Sequence, residues 1–272
     1  MFKMIKKEKL AEKITLFEVE APRVAKKAQA GQFVIIRLAE GGERIPLTIA
    51  DHDRAKGTLT LVVQEVGYTT QQMNKLATGQ AILDVTGPLG HASHIVKNKH
   101  VVTVGGGVGI APLYPITRAL KEAGNKVISI IGAKNKDLLF WQDRMRKVSD
   151  ELLIATDDGS LGHKGFVTEV LQEVLQKEKI DQVYAIGPGV MMAAVAKVVP
   201  QEVELIVSLN SLMVDGTGMC GCCRVSVGGE TKFTCVDGPE FDGHKVDFEE
   251  FLQRSKFYKK EEEHICKIGL KS

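Results

Sequence analysis

The chain has 272 residues, enough for one large domain or two small domains with real hydrophobic cores. Its net charge of +2, with 26% charged and 44% hydrophobic residues, does not indicate a nucleic-acid or membrane partner. The N-terminal segment lacks a signal-peptide pattern, and no stretch approaches the roughly 18 apolar residues of a membrane span. We therefore expect a cytoplasmic protein.

The first part of the chain, residues 1–97, predicts short strands separated by glycines. Residues 15–20 alternate between apolar and polar types, and residues 32–38 and 59–66 are rich in strand-forming side chains. Residues 69–76 are the best candidate for a short helix. Closely spaced short strands favour a small antiparallel barrel.

Two polar motifs in this part could contact a phosphate group. In Arg44-Ile-Pro46-Leu47-Thr48, the arginine could hold a diphosphate with two parallel hydrogen bonds, and the threonine offers a hydroxyl. Gly67-Tyr-Thr69-Thr70 offers more hydroxyls at the start of the predicted helix. Taken alone, each motif also fits an ordinary solvated loop.

The pattern changes near residue 98, where strands begin to alternate with helices. The alternation predicts a parallel sheet built from strand–helix–strand units, which is the doubly wound α/β architecture. The predicted strands are 100–104, 126–131, 152–155, 182–186 and 203–207. The predicted helices run from the glycine-rich turn to residue 123 and over 138–147, 166–177 and 190–198.

A glycine-rich turn follows the first of these strands. It reads Gly105-Gly106-Gly107-Val-Gly109-Ile-Ala111-Pro112 and leads directly into a helix. Glycines at this point let a pyrophosphate approach the backbone, where free N–H groups and the helix dipole favour an anion. Gly187 follows a later strand, and two strand ends on one edge of a sheet form a ligand crevice.

Two aspartates, Asp157 and Asp158, follow another strand of this sheet. Acidic groups there could bind ribose hydroxyls and would repel a ribose 2′-phosphate, which favours NAD(H) over NADP(H). Lys134 and Lys136 argue in the opposite direction. The alternative role for the two aspartates is a helix cap or a solvated turn.

Four of the five cysteines lie in one short window near the C-terminus. The order Asp215-x4-Cys220-x2-Cys223, followed by Cys235, has the ligand spacing of plant-type ferredoxins with aspartate at the first position. Glycines between the ligands let the backbone wrap closely around a compact inorganic group. A predicted hairpin after residue 223 would return Cys235 to the loop.

The residues leave two alternatives open for this window. The same thiolates could hold a zinc ion. Cys222 could also replace Asp215 as the fourth ligand, although adjacent thiolates bind one iron with strain. Clustered cysteines in a chain of this kind favour a metal site over disulfides.

The order of these motifs resembles that of the ferredoxin-reductase-like flavoproteins that carry a C-terminal [2Fe–2S] cluster. Two branches of that family are most similar: the electron-transfer subunits of B-type dihydroorotate dehydrogenases, and the small subunits of NADH-dependent reduced ferredoxin:NADP oxidoreductases, also described as sulfide dehydrogenase subunits. The second branch has aspartate where the first has its initial cysteine, as this chain does. Cys222 departs from that branch, in which glycine is usual.

The resemblance implies an FAD-binding barrel over residues 1–97, an NAD(H)-binding α/β domain over 98–208, a [2Fe–2S] segment over 209–250 and a charged helical tail over 251–272. It implies that FAD is held by Arg44, Pro46, Leu47, Thr48, Gly67, Thr69 and Thr70. It implies that the nucleotide site uses Gly105, Gly106, Gly107, Gly109, Ala111, Pro112, Asp157 and Gly187. The implied cluster ligands are Asp215, Cys220, Cys223 and Cys235.

The implied activity is exchange of a hydride between NAD(H) and FAD, with single electrons passing through the cluster to a partner. No side-chain acid or base is required, so no catalytic residue is assigned. The implied partner is a large subunit that carries the bifurcating flavin, further iron–sulfur clusters, and the NADP and ferredoxin sites. The alternatives are the electron-transfer subunit of a dihydroorotate dehydrogenase and a zinc-stabilised nucleotide-binding regulator.

Overall fold

The computed structural model describes residues 1–268, which form two seven-stranded sheets, a small hairpin and eight α-helices. The predicted fold class, a β barrel followed by a doubly wound α/β domain and a C-terminal loop with a hairpin, is confirmed. None of the described helices combines the length and the apolar character needed to span a bilayer.

The N-terminal sheet contains only antiparallel pairs, in the order β6-β1-β2-β5-β4-β3-β7. Its two edge strands are separated by the single residue Leu83, so the sheet curls back on itself as a barrel. The interior is filled by side chains such as Phe17, Val34 and Leu59. The elements are β1 (Phe2–Ala11), β2 (Ile14–Glu20), α1 (Pro22–Ala25), β3 (Phe33–Arg37), β4 (Ile45–Asp53), β5 (Thr58–Gln64), α2 (Tyr68–Lys75), β6 (Ala81–Ile82) and β7 (Asp84–Leu89).

Most of the Arg44 motif lies in a strand and not in a loop, because Pro46, Leu47 and Thr48 belong to β4. Proline is tolerated there since residues 45–48 pair with β3, whereas the pairing with β5 begins only at Ile49. Strand β1 was also not anticipated. Its outward face is rich in lysine, which hides the apolar alternation.

The second sheet has six parallel strands in the order β11-β10-β9-β8-β12-β13. Its two faces are covered by helices that bury separate apolar cores. The elements are β8 (His100–Gly106), α3 (Ile110–Glu122), β9 (Lys126–Ala133), α4 (Gln142–Lys147), β10 (Glu151–Thr156), β11 (His163–Lys164), α5 (Val167–Lys177), β12 (Gln182–Ile186), α6 (Gly189–Val198) and β13 (Glu204–Ser208).

The helix predicted over residues 138–147 is shorter than expected. Asn135 caps a 3₁₀ turn over Lys136–Leu138, and Trp141 has a left-handed backbone with φ of 57°. The α-helix therefore begins only at Gln142. Leu139 and Phe140, on the connecting residues, are buried in the core.

The C-terminal segment returns to both sheets. Its elements are β14 (Arg224–Val227), β15 (Glu230–Phe233), β16 (Glu240–Asp242), α7 (Phe248–Arg254) and α8 (Lys259–Ile268). Strands β14 and β15 form the predicted hairpin, and β16 adds an antiparallel edge strand to β13. Helix α8 packs against α2 of the barrel. Residues 269–272 of the predicted helical tail lie outside the described residues.

Candidate functional site

The glycine-rich turn lies where the order of the parallel sheet reverses direction. Strand β8 is followed in sequence by β9 on one side and later by β12 on the other, so a crevice opens beyond the carboxyl ends of β8 and β12. Gly105 and Gly106 end β8, and Gly107–Gly109 form a 3₁₀ turn before α3. The sequence predicted this placement.

The glycines of this turn have different structural roles. A Cβ on Gly109 would lie 2.3 Å from the Ile186 carbonyl oxygen, and one on Gly106 would lie 2.4 Å from the Met191 sulfur. These two glycines let the turn pack against the β12–α6 connection. Gly107 has φ of +55°, and a Cβ there would meet no atom within 4 Å. The space beside Gly107 is therefore the part of the turn that is open to a ligand.

The other predicted nucleotide residues surround the same edge of the sheet. Ala111 and Pro112 are in the first turn of α3. Gly187 directly follows β12, and a Cβ on this glycine would lie 3.1 Å from the Gly106 backbone nitrogen. Asp157 is exposed in the loop after β10. The Asp158 carboxylate accepts a hydrogen bond from the Ser160 N–H at 2.9 Å, so it shapes the turn. Hydrogen bonds from Ser160 lower the pKa of Asp158.

The predicted FAD residues form a half-exposed row on the barrel. In the β3–β4 ladder Thr48 pairs with Phe33 and Pro46 pairs with Ile35. Arg44 precedes β4, and its Nε donates to the Val214 carbonyl at 2.7 Å while its Nη2 lies 3.4 Å from the Asp215 carbonyl. The guanidinium thus reaches the cysteine-rich loop, a contact that the sequence did not predict.

The other predicted FAD motif lies at the start of α2. The Thr70 hydroxyl accepts hydrogen bonds from the Val66 and Gly67 N–H groups, both at 3.0 Å, and donates to the Gly67 carbonyl. The Thr69 hydroxyl donates to the Glu43 carboxylate. Both threonines are buried. In this structure their hydroxyls organise the helix start, which leaves backbone N–H groups of α2 as the donors available to a phosphate.

The cysteine-rich loop is organised around Asp215. The carboxylate accepts hydrogen bonds from the Thr217 N–H at 2.8 Å and the Cys220 N–H at 2.9 Å. These two bonds hold the pKa of Asp215 below its usual value, and the bond from Thr217 has the larger effect. Gly216, Gly218 and Gly221 have positive φ, which lets the loop turn tightly three times.

The cysteines of the loop fall into a buried and an exposed group. Cys223 and Cys235 are each 1% exposed, and their sulfur atoms lie 3.2 Å apart. Burial is the main reason why the pKa of the Cys235 thiol is raised to about 12, and the neighbouring Cys223 thiol contributes to the rise. The Cys220 thiol is exposed, and hydrogen bonding from the Cys222 N–H lowers its pKa.

The donor set fits a two-iron cluster. Each iron of such a cluster takes two protein ligands, and the structure supplies two neighbouring pairs: Asp215 with Cys220, and Cys223 with Cys235. Backbone groups also favour the charged form of two of the thiols: that of Cys222 lowers the pKa of Cys220, and that of Gly218 opposes the rise in the pKa of Cys235. Among residues 1–268, no three candidate ligands converge on the position of a single metal ion.

The loop packs directly on the N-terminal barrel. Cys223 and Cys235 share a small apolar core with Phe33 and Ile35 of β3. A Cβ on Gly216 would lie 2.9 Å from the Ile35 side chain. Since directly opposed residues of an antiparallel pair share one face of the sheet, Thr48 and Pro46 project from the same face as Phe33 and Ile35.

Two functional candidates escaped the sequence reasoning. Arg254 of α7 donates to the Cys222 carbonyl at 3.1 Å. Glu240 of β16 accepts a hydrogen bond from the Ser93 hydroxyl at 2.5 Å, between the two sheets, and burial raises its pKa to about 7. No local sequence pattern marks either side chain.

Three family models match the chain in sequence order. They are an oxidoreductase FAD-binding domain over residues 1–94, an oxidoreductase NAD-binding domain over residues 103–197, and the iron–sulfur cluster binding domain of dihydroorotate dehydrogenase B over residues 210–247. These matches confirm that the chain has binding domains for the expected cofactors, FAD, NAD(H) and an iron–sulfur cluster. The third match favours the cluster over the zinc alternative.

Two curated relatives cover most of the chain. A Thermotoga maritima protein named dihydroorotate dehydrogenase B (NAD(+)), electron transfer subunit homolog is 50% identical over 260 residues, covering 95% of this chain and 92% of its own length. The dihydroorotate dehydrogenase B (NAD(+)) electron transfer subunit of Enterococcus faecalis is 31% identical over 257 residues, covering 90% and 97%.

The fold is also that of a solved structure of the NADH-dependent reduced ferredoxin-NADP oxidoreductase, described in connection with flavin-based electron bifurcation. That chain superposes with a TM-score of 0.92 at 48% identity, covering 98% of this chain and 96% of its own length. The chain therefore belongs to the family of the dihydroorotate dehydrogenase B electron transfer subunits and their homologues, oxidoreductases that combine FAD-binding, NAD-binding and iron–sulfur cluster binding domains.

Proposed function

We propose that this chain is the small, electron-transferring subunit of an electron-bifurcating NADH-dependent reduced ferredoxin:NADP oxidoreductase that works in the cytoplasm. It would exchange a hydride between NAD(H) and FAD and pass single electrons through a [2Fe–2S] cluster to a larger subunit. The similarity of the whole chain to the solved oxidoreductase supports this assignment.

The observation that carries the proposal is the contact between the cluster loop and the barrel. Phe33 and Ile35 of β3 touch the buried Cys223 and Cys235, and they pair with Thr48 and Pro46, the residues proposed to hold the flavin. A flavin and a cluster held by these residues would therefore be separated by little more than one strand. Such proximity permits rapid electron transfer between them.

The chain's own residues would bind and orient the reactants. Gly107 would leave room for the nucleotide pyrophosphate beside the start of α3, and Asp157 would accept hydrogen bonds from ribose hydroxyls. FAD would lie along β4 and the start of α2, and when bound it would supply the exchange between a hydride and single electrons. The residues proposed for FAD are Arg44, Pro46, Leu47, Thr48, Gly67, Thr69 and Thr70; those for the nucleotide are Gly105, Gly106, Gly107, Gly109, Ala111, Pro112, Asp157 and Gly187.

We propose Asp215, Cys220, Cys223 and Cys235 as the cluster ligands, bound as the two pairs described above. The Asp215 carboxylate accepts a hydrogen bond from the Cys220 N–H, whereas the Cys222 carbonyl accepts one from Arg254 of α7. We expect Cys222→Ser to retain the cluster and Asp215→Ala to lose it or hold it weakly. Iron analysis of both variants, isolated anaerobically, checks this, and the reverse result would make Cys222 the ligand.

The surface around the cluster loop suits a protein partner. Leu212, Val214, Met219 and Val236 are all exposed there, Met219 by 89%. Apolar side chains grouped around an electron exit favour a docked protein over open solvent. We propose that the partner is the large flavin and iron–sulfur subunit that carries the NADP and ferredoxin sites.

The test is anaerobic isolation of the full chain with and without its co-expressed neighbouring gene product. We expect bound FAD and a [2Fe–2S] cluster, both reduced on mixing with NADH as followed by visible and electron paramagnetic resonance (EPR) spectroscopy. Ferredoxin-dependent NADP reduction should require the partner. A protein with zinc but neither flavin nor iron would refute the proposal, and NADP reduction by the isolated chain would refute the requirement for a partner.

A second candidate is the electron-transfer subunit of a B-type dihydroorotate dehydrogenase, which the family model of residues 210–247 and the names of the relatives favour. Asp215 argues against it, because the branch that this chain resembles less has cysteine at this position. Dihydroorotate oxidation by the purified complex would select this alternative.

A further inference from the structure

Arginine side chains hydrogen-bond three backbone carbonyl groups of the cluster loop. Arg44 donates to the carbonyls of Val214 and Asp215, and Arg254 donates to the carbonyl of Cys222. A carbonyl group shares its planar peptide unit with the N–H of the next residue, so these bonds fix the peptide units that lead into Asp215, Gly216 and Cys223.

Arg254 occupies the most informative of these positions. It bonds the carbonyl of Cys222, one of the two residues between Cys220 and Cys223, and it is itself partly buried. Arg224 also lies near the loop, but its side chain is exposed and its Nη1 is 3.5 Å from the Gly221 carbonyl. The loop thus has one well-placed guanidinium on this side and one marginal, solvated guanidinium.

The helix that carries Arg254 is firmly anchored. The Asp247 carboxylate caps α7 by accepting the Glu250 N–H at 2.9 Å, and the Asp247 N–H donates to the Ser226 carbonyl of β14. Phe251 is 5% exposed within the core of the α/β domain. A Cβ on Gly189 would lie 2.9 Å from the Phe251 ring, so α6 and α7 are in close contact.

This segment lies beyond the three matched family models, the last of which ends at residue 247. The guanidinium of Arg254 also lies 5.5 Å from the centre of the Phe257 ring, which restricts its orientation. A rigid helix and an aromatic contact together hold the arginine at the loop. A side chain fixed in this way is suited to positioning rather than to a solvated surface role.

We propose that Arg254 is a positioning residue for the iron–sulfur centre, which fixes the Cys222–Cys223 peptide unit beside a cluster ligand and raises the reduction potential of the cluster. The bond to the Cys222 carbonyl holds this peptide unit, and with it the backbone of the ligand Cys223, in one position. The positive charge favours the reduced cluster, which carries one more negative charge than the oxidised form. The inference rests on the proposed cluster and its ligands.

The test compares the cluster potential in Arg254→Gln, Arg254→Lys and the matched control Arg224→Gln. Each glutamine variant removes one positive charge near the loop, but only Arg254→Gln removes the partly buried bond to the Cys222 carbonyl. The full chain, with its partner where one co-purifies, is titrated anaerobically with dithionite and mediators. The EPR signal of the reduced [2Fe–2S] cluster is followed at a temperature that leaves other clusters broadened.

We expect the potential to fall in Arg254→Gln, to fall less in Arg254→Lys, and to stay near the wild-type value in Arg224→Gln. The shape of the EPR signal should change only in the Arg254 variants. An unchanged potential in Arg254→Gln, or an equal shift in Arg224→Gln, overturns the proposal. If Arg254→Gln does not retain a cluster, Arg254→Lys decides: a lowered potential supports the proposal and an unchanged one overturns it. A wild-type chain without a cluster would refute the proposed function instead.

Discussion

The nucleotide turn and the cluster loop are both rich in glycine, yet they are built in different ways. The nucleotide turn connects β8 to α3 and packs on the neighbouring β12–α6 connection, so regular elements determine its shape. The cluster loop is held by contacts from β3, from Arg44 before β4 and from Arg254 on α7. The first site is thus shaped by the ends of regular elements, whereas the second is held by side-chain contacts from three separate elements. Substitutions at the two sites should therefore fail in different ways.

The largest expected effect is at the buried sulfur pair. Cys235→Ser should abolish the cluster, because it removes a thiolate that lies 3.2 Å from the Cys223 sulfur in a water-excluded core. The α/β domain has its own core, so NAD(H) binding should persist. Iron and sulfide analysis together with NADH titration checks both statements.

The matched control is Cys266→Ser, which changes the cysteine of α8 away from the loop. This variant should keep a full complement of iron. Equal iron loss in the two variants would show that the loss reports general destabilisation and not removal of a ligand.

The nucleotide turn offers a contrasting pair of glycines. Gly109→Ala would place a Cβ 2.3 Å from the Ile186 carbonyl, so we expect a loss of about 3 kcal/mol in the free energy of unfolding, or no folded protein. Gly107→Ala meets no atom, and its positive φ costs only about 1 kcal/mol. Denaturant unfolding measures both.

We expect the opposite order for NADH affinity: Gly107→Ala, the more stable of the two variants, should be the one that binds NADH more weakly. The Gly107 methyl group would fill the open space proposed for the pyrophosphate, so Gly107→Ala should weaken NADH binding in a protein that is folded normally. If Gly107→Ala bound NADH as the wild type does, the nucleotide would have to approach elsewhere on this edge.

The same contrast explains what the sequence could predict. The glycine turn, the parallel strands and the ligand spacing were predicted because periodicity and spacing record local structure. Strand β4 was missed because Pro46 breaks the strand pattern, and only the one-sided pairing with β3 permits it. The start of α4 was predicted too early in the chain, because Trp141 adopts a left-handed backbone that the apolar residues around it do not indicate.

Long-range polar contacts were the least predictable features. Arg254 meets a carbonyl 32 residues away, and Glu240 meets a hydroxyl 147 residues away. Neither residue stands in a motif whose spacing reflects these contacts. Only the folded arrangement of the two sheets and the tail brings the partners together.

A smaller effect concerns the junction between the two sheets. Glu240 has a pKa raised to about 7 by burial, against the 4.5 of an exposed glutamate, while the Ser93 hydroxyl partly opposes the shift. Between these values the folded state binds more protons than the unfolded state, so stability falls as the pH rises from about 4.5 to 7. The loss amounts to at most about 3.4 kcal/mol, at 1.36 kcal/mol per pKa unit.

Glu240→Gln should remove this component of the pH dependence, since the amide keeps an acceptor for Ser93 and carries no charge. Thermal unfolding across pH 4.5 to 8 in both proteins measures the difference. Parallel curves for the wild type and the variant would mean that the carboxyl group is not linked to folding.

The smallest expected effect is on the choice of nucleotide. Asp157 is exposed at the crevice edge, whereas the Asp158 carboxylate is bound to the Ser160 N–H at 2.9 Å. Asp157→Ala should therefore reduce the preference for NADH over NADPH by roughly tenfold, about 1.4 kcal/mol, because it removes a ribose acceptor and a charge that repels a 2′-phosphate. Asp158→Ala should instead lower the stability slightly through the lost turn bond and change the preference little. The ratio of kcat/KM for the two nucleotides, measured by flavin-dependent dye reduction, separates the variants, and a larger change in Asp158→Ala would assign the ribose contact to the other carboxylate.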